Sequence, residues 1–160
     1  MAQKTKSKYR LTPQLAYVIG LWKARKTGQG IGVSGKCSEV FVEEAIKQRL
    51  TKPNKMIVRE ACAYFYHSKL RDFFEEVEKD GIEIFKEKNE KSANFLAGFF
   101  DGSGEIRNGF PIFHRLDLKT SFIIERLGFR IKKIRQEGKS NIYAQKDFLI
   151  FVKPYLKIIN

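Results

Sequence analysis

The stretch that most constrains the fold of this chain is residues 95–106, FLAGFFDGSGEI. Small residues stand in its apolar run at Gly98 and, four positions later, at Gly102. Glycines four apart lie on one face of a helix, where the missing side chain lets another backbone approach closely. The run ends in a glycine-rich turn that contains Asp101 and Glu105. The pattern therefore predicts a tightly packed helix that delivers carboxylates to a site at its C-terminal end.

Charge is the compositional feature that bears most on function. The 160 residues include 31 lysines and arginines against 18 aspartates and glutamates, a formal net charge of +13. The excess is spread over the halves before and after Asp80 and is not confined to a tail. Distributed cations are typical of domains that bind nucleic acid, because each neutralised phosphate releases counterions. The alternative is a lysine-rich surface with no role in binding.

The cysteines and histidines do not have the spacing of a zinc site. The chain has two cysteines, Cys37 and Cys62, and two histidines, His67 and His114, and they form neither a CxxC pair nor a Cys–His cluster. Two thiols without a signal peptide predict a reduced, cytoplasmic protein. No apolar run approaches the length that spans a bilayer, so no membrane partner is expected.

Hydrophobic periodicity predicts the same order of elements in each half of the chain. Each half reads helix, two strands, helix, two strands, helix, which makes an α+β fold of two αββαββα repeats with a period of about 80 residues. We expect a first repeat at residues 11–80, a linker at 81–92 and a second repeat at 93–160. The polar and basic residues 1–10 are predicted to be a disordered arm or an extended lead-in that contacts phosphate.

Caps, chain breakers and alternation set the predicted bounds of each element. The elements of the first repeat are a helix at 13–26, strands at 30–34 and 38–42, a helix at 43–50, strands at 55–58 and 61–66, and a helix at 68–79. Those of the second repeat are a helix at 95–102, strands at 105–107 and 111–117, a helix at 120–127, strands at 129–135 and 141–145, and a helix at 146–158.

Two segments resemble the signature motif of the LAGLIDADG homing endonucleases. LAGFFDGSG at Leu96–Gly104 is similar to the whole motif, and VIGLWKARK at Val18–Lys26 is a weaker copy that retains chiefly Gly20. The doubled order of elements resembles that of the family's single-chain, pseudo-symmetric members over essentially the whole chain.

The resemblance implies how the two motifs pack and what the sheets do. In the family the two signature helices lie against each other at the centre of the domain, which implies that Gly20 and Ala24 face Gly98 and Gly102. It also implies two antiparallel sheets that form a saddle over the major groove of DNA. The chain is then expected to be a monomer with an internal pseudo-twofold axis.

The chain departs from the family where the chemistry is performed. The penultimate residue of each family motif is an Asp or Glu that binds a divalent metal at the scissile phosphate, where the metal activates water. In this chain the same alignment places Arg25 and Ser103 at those positions. Serine is a poor ligand for Mg²⁺ and arginine repels it, so no cofactor is expected.

Other acids would have to replace the missing carboxylates in an active enzyme. Asp101 and Glu105 are the candidates for a catalytic role, and such an enzyme would use Mg²⁺. The alternative interpretation of Asp101 is a carboxylate that accepts hydrogen bonds from nearby turn amides. Arg25 could supply a positive charge in place of a metal by pairing directly with a phosphate.

The predicted strands carry cations and polar or stackable side chains at spacings suited to a sheet that faces a nucleic-acid groove. Together with Arg25, the predicted nucleic-acid-binding residues are Lys36, Arg59, Tyr64, Tyr66, Arg107, Arg115, Arg130, Lys132, Lys133, Arg135, Asn141, Tyr143 and Gln145. The alternative is that any exposed sheet face is polar. The alternation slips at Lys132 and Lys133, where a bulge is one explanation.

The sequence therefore favours a nucleic-acid-binding protein of LAGLIDADG fold whose nuclease activity is lost or weakened. Double-stranded DNA is the favoured partner and RNA the second. The alternatives are an active Mg²⁺-dependent, site-specific DNA endonuclease or nickase, an RNA-binding splicing factor similar to a maturase, and a basic module that binds a protein.

Overall fold

The computed structural model describes residues 9–159. The prediction for the basic residues 1–10 falls almost entirely outside this range. Within it, every helix is too short or too polar to span a lipid bilayer.

Helices and strands alternate along the first half of the chain. Its elements are α1 (Pro13–Arg25), β1 (Ile31–Ser34), α2 (Ser38–Lys47), β2 (Ile57–Arg59), β3 (Cys62–Phe65) and α3 (Ser68–Lys79). Short 3₁₀ turns at Gly35–Cys37 and Pro53–Lys55 flank α2.

The second half follows the predicted order of helices and strands. Its elements are α4 (Gly81–Ile84), α5 (Glu90–Ser103), β4 (Gly104–Arg107), β5 (Phe110–Phe113), α6 (Leu118–Arg126), β6 (Ile131–Gln136), β7 (Lys139–Ala144) and α7 (Lys146–Val152). The segment expected to be a linker, 81–92, contains α4 and the first turn of α5.

The prediction is wrong for the strand at 38–42, for the end of the last helix and for the end of the strand at 111–117, which stops at Phe113. Residues 38–42 form the start of α2, because Phe41, Glu44 and Ala45 recur at helical spacing and are all buried. The first half is therefore αβαββα. The last helix ends at Val152 and not near residue 158, since the following 3₁₀ turn contains Pro154, which has no N–H to continue the helix.

The strands form two antiparallel sheets, which confirms the predicted α+β fold class. The first sheet has the order β1-β3-β2 and the second the order β4-β5-β7-β6. The pairing of β6 with β7 is continuous from Ile131↔Ala144 to Gln136↔Lys139. The slip in alternation at Lys132 and Lys133 is therefore not a bulge.

The helices α1 and α5 pack against each other at the centre of the molecule. A Cβ atom on Gly20 would clash with the carbonyl oxygen of Phe95, and one on Gly98 would clash with the carbonyl oxygen of Tyr17. Near the ends of the helices, a Cβ atom on Gly102 would clash with the Cβ of Ala24. The contacts are reciprocal, and they agree with the expected facing of the two glycine-containing motifs.

Each of the two central helices begins at a side-chain cap. Thr12 accepts a hydrogen bond from the amide of Leu15, and Asn89 accepts one from the amide of Ser92. These bonds satisfy amides that have no partner inside the helix. The caps therefore fix the residue at which each helix begins.

Candidate nucleic-acid interface

The C-terminal ends of α1 and α5 meet at the positions where the resemblance expects metal-binding carboxylates. Arg25 is the last residue of α1, and its Nε donates a hydrogen bond of 2.8 Å to the carbonyl oxygen of Gly102. Ser103 is the last residue of α5, and its Oγ donates a bond of 2.7 Å to the carbonyl oxygen of Phe99 within the same helix. The junction therefore carries a guanidinium group and a hydroxyl group.

Asp101 lies two residues before Ser103 in α5 and is fully buried. Its carboxylate accepts hydrogen bonds from the hydroxyl of Tyr17 at 2.6 Å and from the backbone amides of Lys157 at 2.8 Å and Ile159 at 2.9 Å. The alternative interpretation of Asp101 expected donors from the nearby turn. The two amides come instead from the distant C-terminal segment. Asp101 thus ties together α1, α5 and the segment after α7.

The partners of Asp101 are residues that the sequence reasoning missed. Burial, and then the negative charge of Asp101, raise the pKa of Tyr17 well above its ordinary value, so its hydroxyl remains a donor. The side chain of Lys157 lies 3.2 Å from the carboxylate of Glu44 and 5.4 Å from the ring of Tyr17. The sequence feature that could have indicated the bond between Tyr17 and Asp101 is the position of Tyr17 inside an apolar helix, since a buried tyrosine hydroxyl needs a polar partner.

Glu105 stands at the start of the second sheet and is half-buried. Its carboxylate forms an ion pair with Arg107, and its Oε2 lies 3.4 Å from Nε2 of His114. The hydrogen bond to Glu105 raises the pKa of Arg107. Glu105 is therefore an acid flanked by a guanidinium cation and an imidazole ring.

The residues at the helix junction do not fit a magnesium site. Mg²⁺ prefers several carboxylate oxygens and waters in octahedral geometry. Both oxygens of Asp101 already accept hydrogen bonds in the interior, and the positively charged Arg25 lies beside Gly102. Among residues 9–159, no three side chains of His, Cys, Asp or Glu are grouped as metal ligands would be.

The pleat of the second sheet divides the predicted binding residues between its two faces. Cross-strand pairs place Glu105, Tyr143 and Lys132 on one face, because residues directly opposite each other in a sheet point the same way. Alternation places Arg107, Arg130, Asn141 and Gln145 on this same face, which we call the open face of the second sheet. Lys133 and Arg135 point to the opposite face, the one that packs on the core, and both are exposed.

The open face of the first sheet is smaller and carries two tyrosines. Tyr64 is 6% exposed because it lies against Gly32, where a Cβ atom would clash with it. Nε of Arg59 lies 3.4 Å from the hydroxyl of Tyr64, and the ring of Tyr66 contacts that of Tyr64 edge-on at 5.7 Å between centroids. Arg59 and Tyr66 are exposed, so Tyr64 supports the two side chains that face outwards.

The predicted binding residues Lys36 and Arg115 lie in segments that follow strands. Lys36 is exposed in the 3₁₀ turn after β1, and Arg115 is exposed in the loop after β5. A Cβ atom on Gly35, next to Lys36, would lie 3.9 Å from the guanidinium of Arg25. Lys36 and Arg25 are therefore neighbours at the end of α1.

The open face of the second sheet also contains an apolar groove that the sequence reasoning missed. The groove has a volume of about 400 Å³ and is lined by Phe110, Ile134 and Tyr143, with Arg130, Lys132 and Gln145 among its other residues. Phe110 is 39% exposed. In a sequence, apolar residues in strands indicate core, and only the strand register reveals which of them face outwards.

Comparisons with known proteins place this arrangement in a known fold. No family model and no curated protein matches the sequence. Structures of mesophilic variants of the homing endonuclease I-DmoI match with a TM-score of 0.62 and 14% identity, covering 90% of this chain and 96% of theirs. A complex of I-DmoI with DNA and manganese matches with a TM-score of 0.62 and 14% identity, covering 92% of this chain and 98% of that chain. A complex of I-DmoI with DNA and calcium matches with a TM-score of 0.60 and 13% identity, covering 95% of this chain and 94% of that chain. The two signature helices and the two antiparallel sheets thus have the LAGLIDADG homing endonuclease fold.

Proposed function

We propose that this chain binds double-stranded DNA on the open faces of its two sheets and that its nuclease activity has been lost or weakened. A similar structure is that of a variant of I-DmoI in complex with its target DNA, which supports DNA as the partner class. The net charge of +13 supports the same partner. Arginine, asparagine and glutamine side chains on the open face of the second sheet are suited to base edges in the major groove.

The observation that carries the proposal is the guanidinium of Arg25 at the helix junction. Its hydrogen bond to the carbonyl of Gly102 fixes the side chain where the resemblance implies a metal. An arginine fork matches the oxygens of a phosphate and keeps its charge at every physiological pH. The junction therefore favours a direct phosphate contact over the activation of a water molecule.

A randomised duplex library incubated with the protein and Mg²⁺ or Mn²⁺ tests the proposal. We expect a set of bound duplexes that are recovered intact. Site-specific cuts that Glu105→Gln abolishes would overturn the loss of activity, since Glu105 is the acid near the junction with accessible surface. Asp101→Asn is a poor test, because it changes a buried group that holds three segments together.

A second arm of this experiment measures the role of Arg25. In EDTA, Arg25→Ala should weaken binding of the selected duplex and reduce the slope of log affinity against log salt by about one. Arg71→Ala is the matched control, because Arg71 lies on α3 and pairs with Glu75 away from both sheets. Unchanged affinity and slope in Arg25→Ala would refute the phosphate contact.

Failure of the unaltered protein to bind any duplex at low salt would refute DNA binding itself. Preferential capture of RNA would favour the splicing-factor alternative.

A further inference from the structure

The apolar groove on the open face of the second sheet is not needed for the core. Phe113 fills the core-facing side of β5 and is buried. Phe110, Ile134 and Tyr143 line the other side, and each of them keeps some exposure to solvent. Burying apolar surface stabilises a fold, so apolar groups left partly exposed on an otherwise polar face call for a ligand.

The surroundings of the groove indicate the charge of that ligand. Arg130 and Lys132 belong to its lining, and Nζ of Lys146 lies 4.6 Å from the centroid of the Phe110 ring. Among the described residues that line the groove, none is acidic. An apolar floor with a cationic rim suits a polyanion that presents an apolar group between its phosphates.

We infer that this groove reads the 5-methyl groups of thymine in the major groove of a bound duplex. The inference rests on the proposed DNA binding. In the major groove, the thymine methyl is the apolar group that base edges present, and apolar side chains contact it. The exposed ring of Phe110 and the side chain of Ile134 form the contact surface, while Arg130 and Lys132 reach the adjacent phosphates or guanines.

Replacement of single thymines by deoxyuridine tests the inference. Deoxyuridine lacks the methyl group and keeps the base pair. In a duplex selected by the protein, removal of one methyl at the one or two contacted thymines should weaken binding about three- to fivefold, the loss expected for one buried methyl-sized group. Replacement of thymines elsewhere in the site should weaken binding less than twofold.

Variants connect the response to the groove. Phe110→Ala and Ile134→Thr should each weaken binding of the thymine duplex and abolish the difference between thymine and deoxyuridine at the same positions. Ile134→Thr keeps a β-branched residue in β6, so it protects against a loss of folding. Leu118→Ala removes a large apolar side chain that is 87% exposed on α6, and it should retain the full difference.

Two results would overturn the inference. One is a selected duplex in which no thymine responds to loss of its methyl. The other is a thymine response that persists unchanged in Phe110→Ala and Ile134→Thr. In both cases the protein still binds duplex DNA, so the proposed function survives. Absence of duplex binding by the unaltered protein would reject both together.

Discussion

At the scale of single residues, the carboxylate of Asp101 connects segments that are far apart in the sequence. Its donors come from residues 17, 157 and 159, on α1 and on the segment after α7. A charged group that is fully buried is tolerated when several hydrogen bonds compensate for the water it has lost. Asp101 is therefore a structural residue of the helix pair, and it is poorly placed to hold a metal or to touch DNA.

Removal of the Tyr17 hydroxyl tests this role. Tyr17→Phe should lower the free energy of unfolding by about 1.5–3 kcal/mol, the usual contribution of a hydrogen bond to a charged group. Urea unfolding gives the measurement. Tyr66→Phe is the control, because its hydroxyl is exposed and makes only a contact of 3.4 Å to Gln29; it should change stability by less than about 0.5 kcal/mol. Equal effects of the two changes would contradict the structural role.

The stabilisation that the Tyr17 hydroxyl gives to the fold depends on pH. The pKa of Tyr17 is raised in the folded protein, while the unfolded chain releases this proton near its ordinary pKa of about 10. The stabilisation is therefore complete below about pH 10 and is lost as the pH rises above it. Tyr17→Phe should lack this alkaline loss relative to the unaltered protein.

Individual residues could be predicted to different degrees. The motif alignment located Arg25 and Ser103 at the helix ends, because the same spacing within the motif determines both positions in a regular helix. The partners of Asp101 could not be predicted, since two of its donors are backbone amides, which every residue except proline possesses. No residue type marks them in the sequence.

At the scale of elements, the contact between α1 and α5 depends on Gly20 and Gly98. Each glycine lies against a backbone carbonyl of the other helix, so the two helices meet without side chains between them. This close approach brings the helix ends, and with them Arg25 and Ser103, to a common point. The close contact could be predicted from the glycine spacing, because few residue types allow two helix backbones to approach so closely.

An alanine at Gly98 tests the close approach. In an ordinary helix, Gly→Ala stabilises by about 1 kcal/mol. Here the added Cβ meets the carbonyl of Tyr17, and we expect a loss of about 1–3 kcal/mol or more in the free energy of unfolding. Gly28→Ala is the control, since a Cβ there would meet nothing within 4 Å. If the two variants unfold at the same urea concentration, the helices are not in contact as described.

The misassigned element, α2, shows where periodicity alone is ambiguous. Residues 38–42 carry the sequence SEVFV, whose β-branched valines favour a strand. The helix forms because Phe41 and Ala45 pack on the core from one face, and tertiary packing overrides local preference. Only the burial of both Phe41 and Ala45 on the core decides between a helix and a strand.

At the scale of the whole molecule, the two sheets present unlike surfaces. The first has three strands and an open face with Arg59 and Tyr66, and the second has four strands and the apolar groove with its cationic rim. The number of strands and the side chains both differ, although the two central helices are related by reciprocal contacts. The fold class could be predicted from the order of helices and strands and from the resemblance of the motifs, but the surface of each sheet depends on register, which the sequence does not display.

Unlike sheets predict an asymmetric binding site. The two halves of a selected duplex should differ in sequence, and one protein molecule should occupy one duplex, as measured by selection followed by analytical ultracentrifugation. Reversal of the thymine-containing half within the duplex should reduce affinity. A palindromic consensus bound by two molecules would contradict the prediction, because it requires the same surface to be used twice.

The bond between Asp101 and the amide of Ile159 has a consequence for biosynthesis. The two residues are 58 positions apart, which a ribosome adds in about 3–12 s at about 5–20 residues per second. During that interval the carboxylate of Asp101 lacks the two backbone amides of Lys157 and Ile159 as hydrogen-bond donors. The hydrogen bonding of Asp101 can therefore be completed only after residue 159 has been synthesised.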